Sequence, residues 1–434
     1  MTAWAKAHPT KFLSFWGISH YLFRLRHNST KSKQNCVIVK LFSQQTCTFA
    51  ANEVFYPKME TIIYKIIDPA KDAEHVKRVA GCIDAGGLAV VATETVYGIA
   101  CRVEAESLAK LDAAKERPAE KRYTVHLGDK NKIKNYVPRL WPTAKKLIEK
   151  ALPGPLTIVF ELDAEQLAAA KNNFDGKTAA LLYADNSIGI RCPDEKVCQA
   201  ILNLCKYPVV MPSANISGKE PAVNAEQAGE QLNGKVDIIV DSGQCRLKQS
   251  STVVKISPRE IKILRQGGIS AEQIRRFSVI NIVFVCTGNT CRSPMAEALA
   301  KKAIAEKLKC RVDQLDDIGY KVASAGVAAS NGIAASPESV RFCDEKGVSL
   351  AGHRSQRLTA KMIEVADYIF AMSRGHLDAI IDINPAAAAK CRLLNGNAGI
   401  ADPIGGGDDI YRICGNTIEK AVNNRIGEIF AQTD

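Results

Sequence analysis

From Met59 onward the chain alternates short apolar runs with segments of helical periodicity, and this rhythm changes character once, near Ile280. "IIYKII" reads as a strand. "DPAKDAEHVKRVAGCIDAG" reads as a helix with Asp68 as N-cap, Pro69 in the first turn and Gly86 as its stop. Further strands are predicted at "LAVVAT", "TIVFEL", "IGIRCP", "YPVVMPS", "DIIVDSG", "STVVKIS" and "IKILRQG", with a helix over "ESLAKLDAAKER". Residues 59–277 are therefore expected to form an α/β domain around one sizeable mixed sheet.

From residue 278 the pattern becomes strand, helix, strand, helix. "NIVFVC" is a buried strand by its unbroken apolar run, and "SPMAEALAKKAIAEKL" is a helix with Pro294 in its first turn. "KVASAGV", "ADYIFAM" and "CRLLN" supply further strands, separated by helical "SPESVRFCDEKG" and "LTAKMIEVA". This is the pattern of a doubly wound parallel sheet, expected over residues 278–434 and joined to the first domain by "SAEQIRRFS".

Composition changes the picture mainly at the N-terminus. The formal charge of the 434-residue chain is +12, but residues 1–58 carry eight Lys/Arg against the single acid Glu53. This leader also holds two of the three tryptophans. Two readings of it stand: an organellar transit peptide, or an unstructured tail ahead of translation that begins at Met59. The modest excess of charge beyond it suits anionic small substrates as well as RNA. Hydrophobic residues make up 46% and charged residues 24%, the balance of a soluble protein, and no run is long and apolar enough for a transmembrane helix. The 14 cysteines are scattered without a disulfide framework or a CxxC pair. They read as reduced thiols in a cytoplasmic protein without structural zinc, or in an organellar one if the leader is a transit peptide.

The first domain carries small, polar or cationic clusters at the ends of its predicted strands, where open α/β sheets bind ligands. They are "TETVYG", "KERP", "LPGPLT", "GIRCP", "PSANISG" and "SSTVV". Lys115 and Arg117 can both address polyphosphate oxygens, and Ser213 and Asn215 add neutral hydrogen-bonding groups. The succession of these motifs over about residues 60–275 resembles the YrdC/Sua5 family of threonylcarbamoyl-AMP synthases. The resemblance implies a reaction of L-threonine, bicarbonate and ATP, with Mg2+, that gives threonylcarbamoyl-adenylate and pyrophosphate for the t6A modification of tRNA. On the matching positions, Lys115, Arg117, Ser213, Asn215 and Arg265 would contact the nucleotide, while Thr93, Tyr97, Arg191 and Ser251 would surround threonine and carbamate. The t6A transferase machinery and tRNA lie downstream as implied partners. Arg122-Tyr123 stands where the family has Pro-Leu, and Lys255 stands where it has an acid. The competing reading is a catalytically reduced module that binds nucleotide or double-stranded RNA.

The second domain opens on "VFVCTGNTCRSPMAEAL". Cys286 and Arg292 form C-x5-R with Ser293 following, on a loop that runs from a strand into a helix. Backbone N–H groups can converge there on one anion, with Gly288 permitting the tight turn. A cysteine at the mouth of such a cup is a nucleophile, and Arg292 can clamp two phosphoryl oxygens. In "ADPIGG", Asp402 is placed to move a proton for the leaving group.

These elements resemble the low-molecular-weight protein phosphatases, across residues 280–434. By that resemblance Cys286 forms a phosphocysteine, Arg292 clamps phosphate, Asp402 is general acid and then base, and Asn289 and Ser293 hold the loop completed by Thr287, Gly288, Thr290 and Cys291. Thr290 points to the protein-arginine phosphatase branch, because its hydroxyl can hydrogen-bond a polar leaving group and narrows the pocket against an aromatic ring. Ile404 stands where an aromatic is common, and phosphotyrosine is the other substrate class. Phosphoproteins are the implied partners. Cys291 invites a reversible disulfide with Cys286, and His353 and His376 carry no assigned role.

Overall fold

The structure, a computed structural model, describes residues 60–116 and 122–431. The leader reading for residues 1–58 and the assignment of Arg117 lie outside the described residues. In the first half the strands are β1 (Ile62–Lys65), β2 (Ala89–Val91), β3 (Gly98–Arg102), β4 (Thr124–His126), β5 (Leu156–Glu161), β6 (Ser187–Arg191), β7 (Val209–Val210), β8 (Ile238–Asp241), β9 (Thr252–Ser257) and β10 (Glu260–Arg265). They form one mixed sheet in the order β1-β8-β2-β3-β7-β4-β6-β5-β9-β10. The alternation of side chains explains its layering. Ala89 and Val91 of β2 and Ala100 of β3 face the helices Ala73–Asp84 and Lys196–Leu204, whereas Val90, Ile99 and Cys101 face the helices Ala105–Lys115 and Pro142–Ala151.

The second sheet is wholly parallel, from β11 (Ile280–Cys286), β12 (Tyr320–Gly326), β13 (Tyr368–Ala371) and β14 (Cys391–Leu393), in the order β12-β11-β13-β14. Ile282, Phe284 and Cys286 of β11 face the helices Arg292–Leu308 and Asp408–Ala431, while Val283 and Val285 face Ala360–Val365 and Arg374–Ile383. A central strand covered on both faces explains why "NIVFVC" lacks polar alternation. Each fully buried side chain here stabilises the domain by about 1.5–3 kcal/mol.

Several boundaries differ from the sequence expectation. Asp68 closes a turn, accepting from Ala70 N at 3.0 Å, and the regular helix begins only at Ala73. Its end agrees, with Gly86 in the left-handed region at φ +85°. Strands β3 and β4 go unread by pattern because β4 has three residues and β3 follows a polar turn. The 24-residue C-terminal helix is also unread, its apolar positions being interleaved with polar ones. "SAEQIRRFS" is a helix, Ala271–Ser278, with a capping box between Ser270 and Gln273. Beyond it, Lys146 of the first sheet's helical layer pairs with Asp367 at 2.7 Å, and Trp141 meets Phe430 edge-on, so the joining helix is not the sole tie between the halves. Among the described residues no helix is long and apolar enough to cross a membrane, the cysteines are free thiols, and no group of metal-ligating side chains forms.

Candidate active sites

The register of the first sheet aligns three side chains in one row: His126 of β4 pairs with Arg191 of β6, and Arg191 with Thr157 of β5. Thr157 continues to Ser251 through a 3.0 Å contact between their hydroxyls. Arg265 closes the row by donating to the Ser251 carbonyl at 2.9 Å. Against this wall lies a cavity of about 320 Å3, whose other side carries Lys115 and the 213–218 segment.

Arg191 is buried, and its Nη2 donates to Thr95 Oγ1 at 2.6 Å, to Glu94 Oε1 at 2.9 Å and to Thr93 Oγ1 at 3.2 Å. Its Nε is buried without a partner among the described residues. Partial burial and the nearby Arg191 push the Arg265 guanidinium below its ordinary range, as two cations facing one cavity require. His126 is buried, and desolvation, reinforced by Arg191, lowers its pKa to about 3. Its Nδ1 lies 2.9 Å from the Thr124 carbonyl. A carbonyl only accepts, so Nδ1 carries the hydrogen and Nε2 is left as an acceptor.

Lys115 is the last residue of the helix Ala105–Lys115, and its buried Nζ donates to the carbonyl of Asn215 at 2.7 Å and to that of Ser213. Ser213 Oγ in turn donates to Asn215 Oδ1 at 2.6 Å, and Asn215 Nδ2 holds the Lys219 carbonyl at 2.6 Å. This cross-linked loop keeps a cation and two hydroxyl or amide groups on the cavity wall.

Of the residues expected here, Lys115, Ser213, Asn215, Arg265, Arg191 and Ser251 line the cavity. Tyr97 does not. Its ring is buried in the core and its hydroxyl donates to the Gly243 carbonyl at 2.6 Å, so the expected contact with threonine or carbamate is replaced by a structural one. Thr93 is buried behind Arg191 and acts through it. Glu94, His126 and Thr157 carry no assigned role in the sequence, and Tyr123, noted there only as a departure from the family pattern, lines the cavity. Glu94 lies inside the quoted "TETVYG", but only the fold shows it to be the buried partner of Arg191. Arg122 also lines the cavity, pairing with Asp185, whereas Lys255 is a half-exposed ion-pair partner of Glu161 outside the lining. Neither departure from the family pattern removes a lining group.

In the second domain β11 delivers Cys286 to the loop ahead of the helix Arg292–Leu308. Two donors converge on its sulfur: Asn289 N at 3.2 Å and Ser293 Oγ at 2.9 Å. The Ser293 oxygen accepts from Asn289 Nδ2 at 2.9 Å, and its single hydrogen lies between the sulfur and the more distant Ala325 carbonyl at 3.4 Å. Asn289 also donates to Ser324 Oγ at 2.8 Å and accepts from Gln356 N at 2.9 Å. These bonds hold Asn289 in the left-handed region at φ +57°, where asparagine is tolerated.

The tight turn thus rests on Asn289 and not on Gly288, where a Cβ would meet only Thr290 Oγ1 at 3.6 Å. The glycine the loop does require is Gly326 of β12, where a Cβ would fall 2.4 Å from the Thr287 carbonyl. Arg292 is buried, donates from Nη1 to the Ile400 carbonyl at 3.0 Å and pairs through Nη2 with Asp402, which brings the clamp candidate and the proton-transfer candidate together. Cys291 Sγ lies 3.3 Å from Tyr411 Oη and 3.6 Å from Thr290 Oγ1 and shares no partner with Cys286. The two histidines left unassigned both touch the loop: His353 Nε2 donates to the Asn289 carbonyl at 2.8 Å, and His376 Nε2 lies 2.8 Å from Thr287 Oγ1.

A cation-lined cavity at the end of a mixed sheet and a cysteine-arginine phosphate loop opening a parallel one define a two-enzyme chain. The Sua5/YciO/YrdC family model, described as telomere recombination, matches residues 81–267, and the low-molecular-weight phosphotyrosine protein phosphatase model matches residues 281–433. The chain is 32% identical over 194 residues to a Methanocaldococcus jannaschii protein assigned to threonylcarbamoyl-AMP synthesis, covering 44% of this chain and 84% of that one. It is 25% identical over 254 residues to the threonylcarbamoyl-AMP synthase of Pyrococcus abyssi, covering 55% and 72%. It is 40% identical over 147 residues to the protein-arginine-phosphatase of Geobacillus stearothermophilus, covering 33% and 90%. The chain belongs to the Sua5/YrdC family of threonylcarbamoyl-AMP synthases over its first sheet and to the low-molecular-weight protein phosphatases over its second.

Proposed function

We propose that the first domain joins L-threonine, bicarbonate and ATP into threonylcarbamoyl-adenylate for tRNA t6A formation, with release of pyrophosphate. The observation that carries this reading is the unpartnered Nε of buried Arg191, beside Arg265 and opposite Lys115. Nucleotidyl transfer needs positioning and charge neutralisation more than a protein nucleophile, and this cavity offers cations, hydroxyls and no cysteine. Arg191 can hold the threonine carboxylate or the carbamate, and the His126 acceptor can take a hydrogen from the threonine amine or hydroxyl. Lys115, Arg265, Ser213 and Asn215 serve the nucleotide, and Arg117 is assigned to it by its sequence motif alone. Among the described residues the cavity lining is cationic and neutral, and Mg2+ would accompany ATP on its phosphates. ATP/pyrophosphate exchange that depends on threonine and bicarbonate is the expected result. Nucleotide binding without exchange would instead favour the binding-module reading.

For the second domain we infer hydrolysis of protein phosphoarginine through a phosphocysteine, supported by the two donors on Cys286 Sγ and the Arg292–Asp402 pair. The thiolate attacks phosphorus, the P–N bond breaks, and protonated Asp402 delivers its hydrogen to the departing guanidine nitrogen. Asp402, now a carboxylate, takes a proton from water as that water attacks the phosphocysteine, releasing phosphate and the thiolate. An arriving phosphoryl group competes for Arg292, which frees Asp402 for this task. Thr290 bears on the leaving group: it is half-buried at the loop rim, and its carbonyl is fixed by Ser336 N at 2.9 Å. Thr290→Ile is expected to lower kcat/KM for phosphoarginine by about 10-fold, one lost hydrogen bond, while turnover of phosphotyrosine holds or rises. Equal loss on both substrates would defeat this assignment.

A further inference from the structure

His376 is bound into the phosphate loop through both ring nitrogens. Nε2 lies 2.8 Å from Thr287 Oγ1, and Nδ1 lies 2.9 Å from Ser373 Oγ. Ser373 occupies the N-cap position of the helix Arg374–Ile383 yet makes no capping bond, its hydroxyl being engaged by the imidazole. Thr287 directly follows the nucleophile and stands exposed at the loop mouth. The charged groups acting on His376 are Arg292, from the loop-helix junction, and Asp402, from the segment after β14. Burial first, and then Arg292, make the imidazole less basic than usual, with Asp402 opposing, so it is neutral at neutral pH.

A neutral imidazole has one donor and one acceptor nitrogen. Both partners are hydroxyls and admit either tautomer; in the one with the hydrogen on Nδ1, directed at Ser373, Nε2 accepts the Thr287 hydroxyl hydrogen, and this is the tautomer the proposed pair adopts. The Thr287 oxygen then has only lone pairs for whatever occupies the loop mouth. We propose that His376 is a positioning residue that holds Thr287 as an acceptor for the donor-rich guanidinium of the substrate, making Thr287 a second specificity determinant beside Thr290. The inference rests on the phosphoarginine reading above. A phosphate ester brings no N–H to this acceptor, so the pair acts on P–N substrates and leaves aryl phosphates nearly unaffected. Protonating His376 makes both nitrogens donors and turns the Thr287 hydrogen toward the substrate, so selectivity falls as pH drops through the lowered pKa.

The test compares N-phospho-L-arginine with p-nitrophenyl phosphate on the full chain, using Thr287→Val, His376→Ala, His376→Gln and the double variant Thr287→Val/His376→Ala. Thr287→Val and His376→Ala are each expected to lower the ratio of kcat/KM for phosphoarginine to kcat/KM for the aryl phosphate by about 10-fold. The double variant should be no worse than either single, and His376→Gln, which keeps an acceptor, should restore most of the loss. Wild-type selectivity should fall only as pH drops below the ordinary histidine range, and that of Thr287→Val should not. Additive losses, equal losses on both substrates, or an unchanged ratio in Thr287→Val would overturn the pair. Thr287→Val is an exposed change and decides the matter even if His376→Ala fails to fold. A wild-type enzyme that never turns over phosphoarginine removes the parent reading and the pair with it, a result distinct from an unresponsive Thr287→Val.

Discussion

Cys286→Ser is expected to lower hydrolysis of any phosphorylated substrate by about 10^4-fold or more, because a hydroxyl cannot replace the thiolate as nucleophile at neutral pH. Binding of orthophosphate, followed by calorimetry, should persist or tighten. Arg292 and the Asn289 N–H stay in place, and the change removes the negative charge that a thiolate sets against the anion. The loop should tolerate the smaller oxygen, since Ser293 and Asn289 are also held by Ser324, Gln356 and the Ala325 carbonyl. Residual turnover above a few per cent would move the nucleophile elsewhere, with Cys291 the first suspect. Its sulfur faces Tyr411, on the strength of which we expect Cys291→Ser to retain activity.

Arg191→Ala should have two separable effects on the first domain. It leaves Glu94 buried, with 1% exposure and without its cation, a situation that costs about 3–5 kcal/mol. For a domain of this size that lowers the unfolding midpoint by roughly 10 °C, measurable by calorimetry. It also removes the Nε donor and one of the two facing guanidinium groups, so threonine-dependent ATP/pyrophosphate exchange should fall by at least about 100-fold. Arg191→Lys separates the two: it keeps a charge for Glu94 and recovers most of the midpoint, but it loses the planar fork and with it the exchange. Full exchange in Arg191→Lys would mean that Arg191 serves Glu94 alone.

The phosphate loop was legible because its chemistry is local. Eight consecutive residues, Cys286 to Ser293, carry the candidate nucleophile, its donors and the candidate clamp, and the strand before them and the helix they open fix the loop's shape. What supports that loop was not legible: Ser324, His353 with Gln356, and His376 arrive from three distant segments. Gly288 looked like the turn residue because glycine usually is, yet the side-chain bonds of Asn289 carry the left-handed position. In the first domain the motif order located the cavity but not which way each residue turns. Tyr97 and Arg191 sit in equally suggestive motifs. One faces the core and the Gly243 carbonyl, the other the cavity, because side-chain direction depends on strand register and a shift of one residue reverses it.

The sequence by itself determined two α/β domains, their order, the cation-rich character of the first and the candidate nucleophile, clamp and acid of the second. Each of these is written in contiguous residues whose periodicity and charge act over short range. Tertiary structure alone decided that Glu94 neutralises Arg191, that His126 is a neutral acceptor, that Asp402 rests on Arg292 and that His376 grips Thr287. These depend on burial and on contacts between segments far apart in the chain, and desolvation, which sets the charge state of a histidine or an ion pair, exists only once the chain has closed around it.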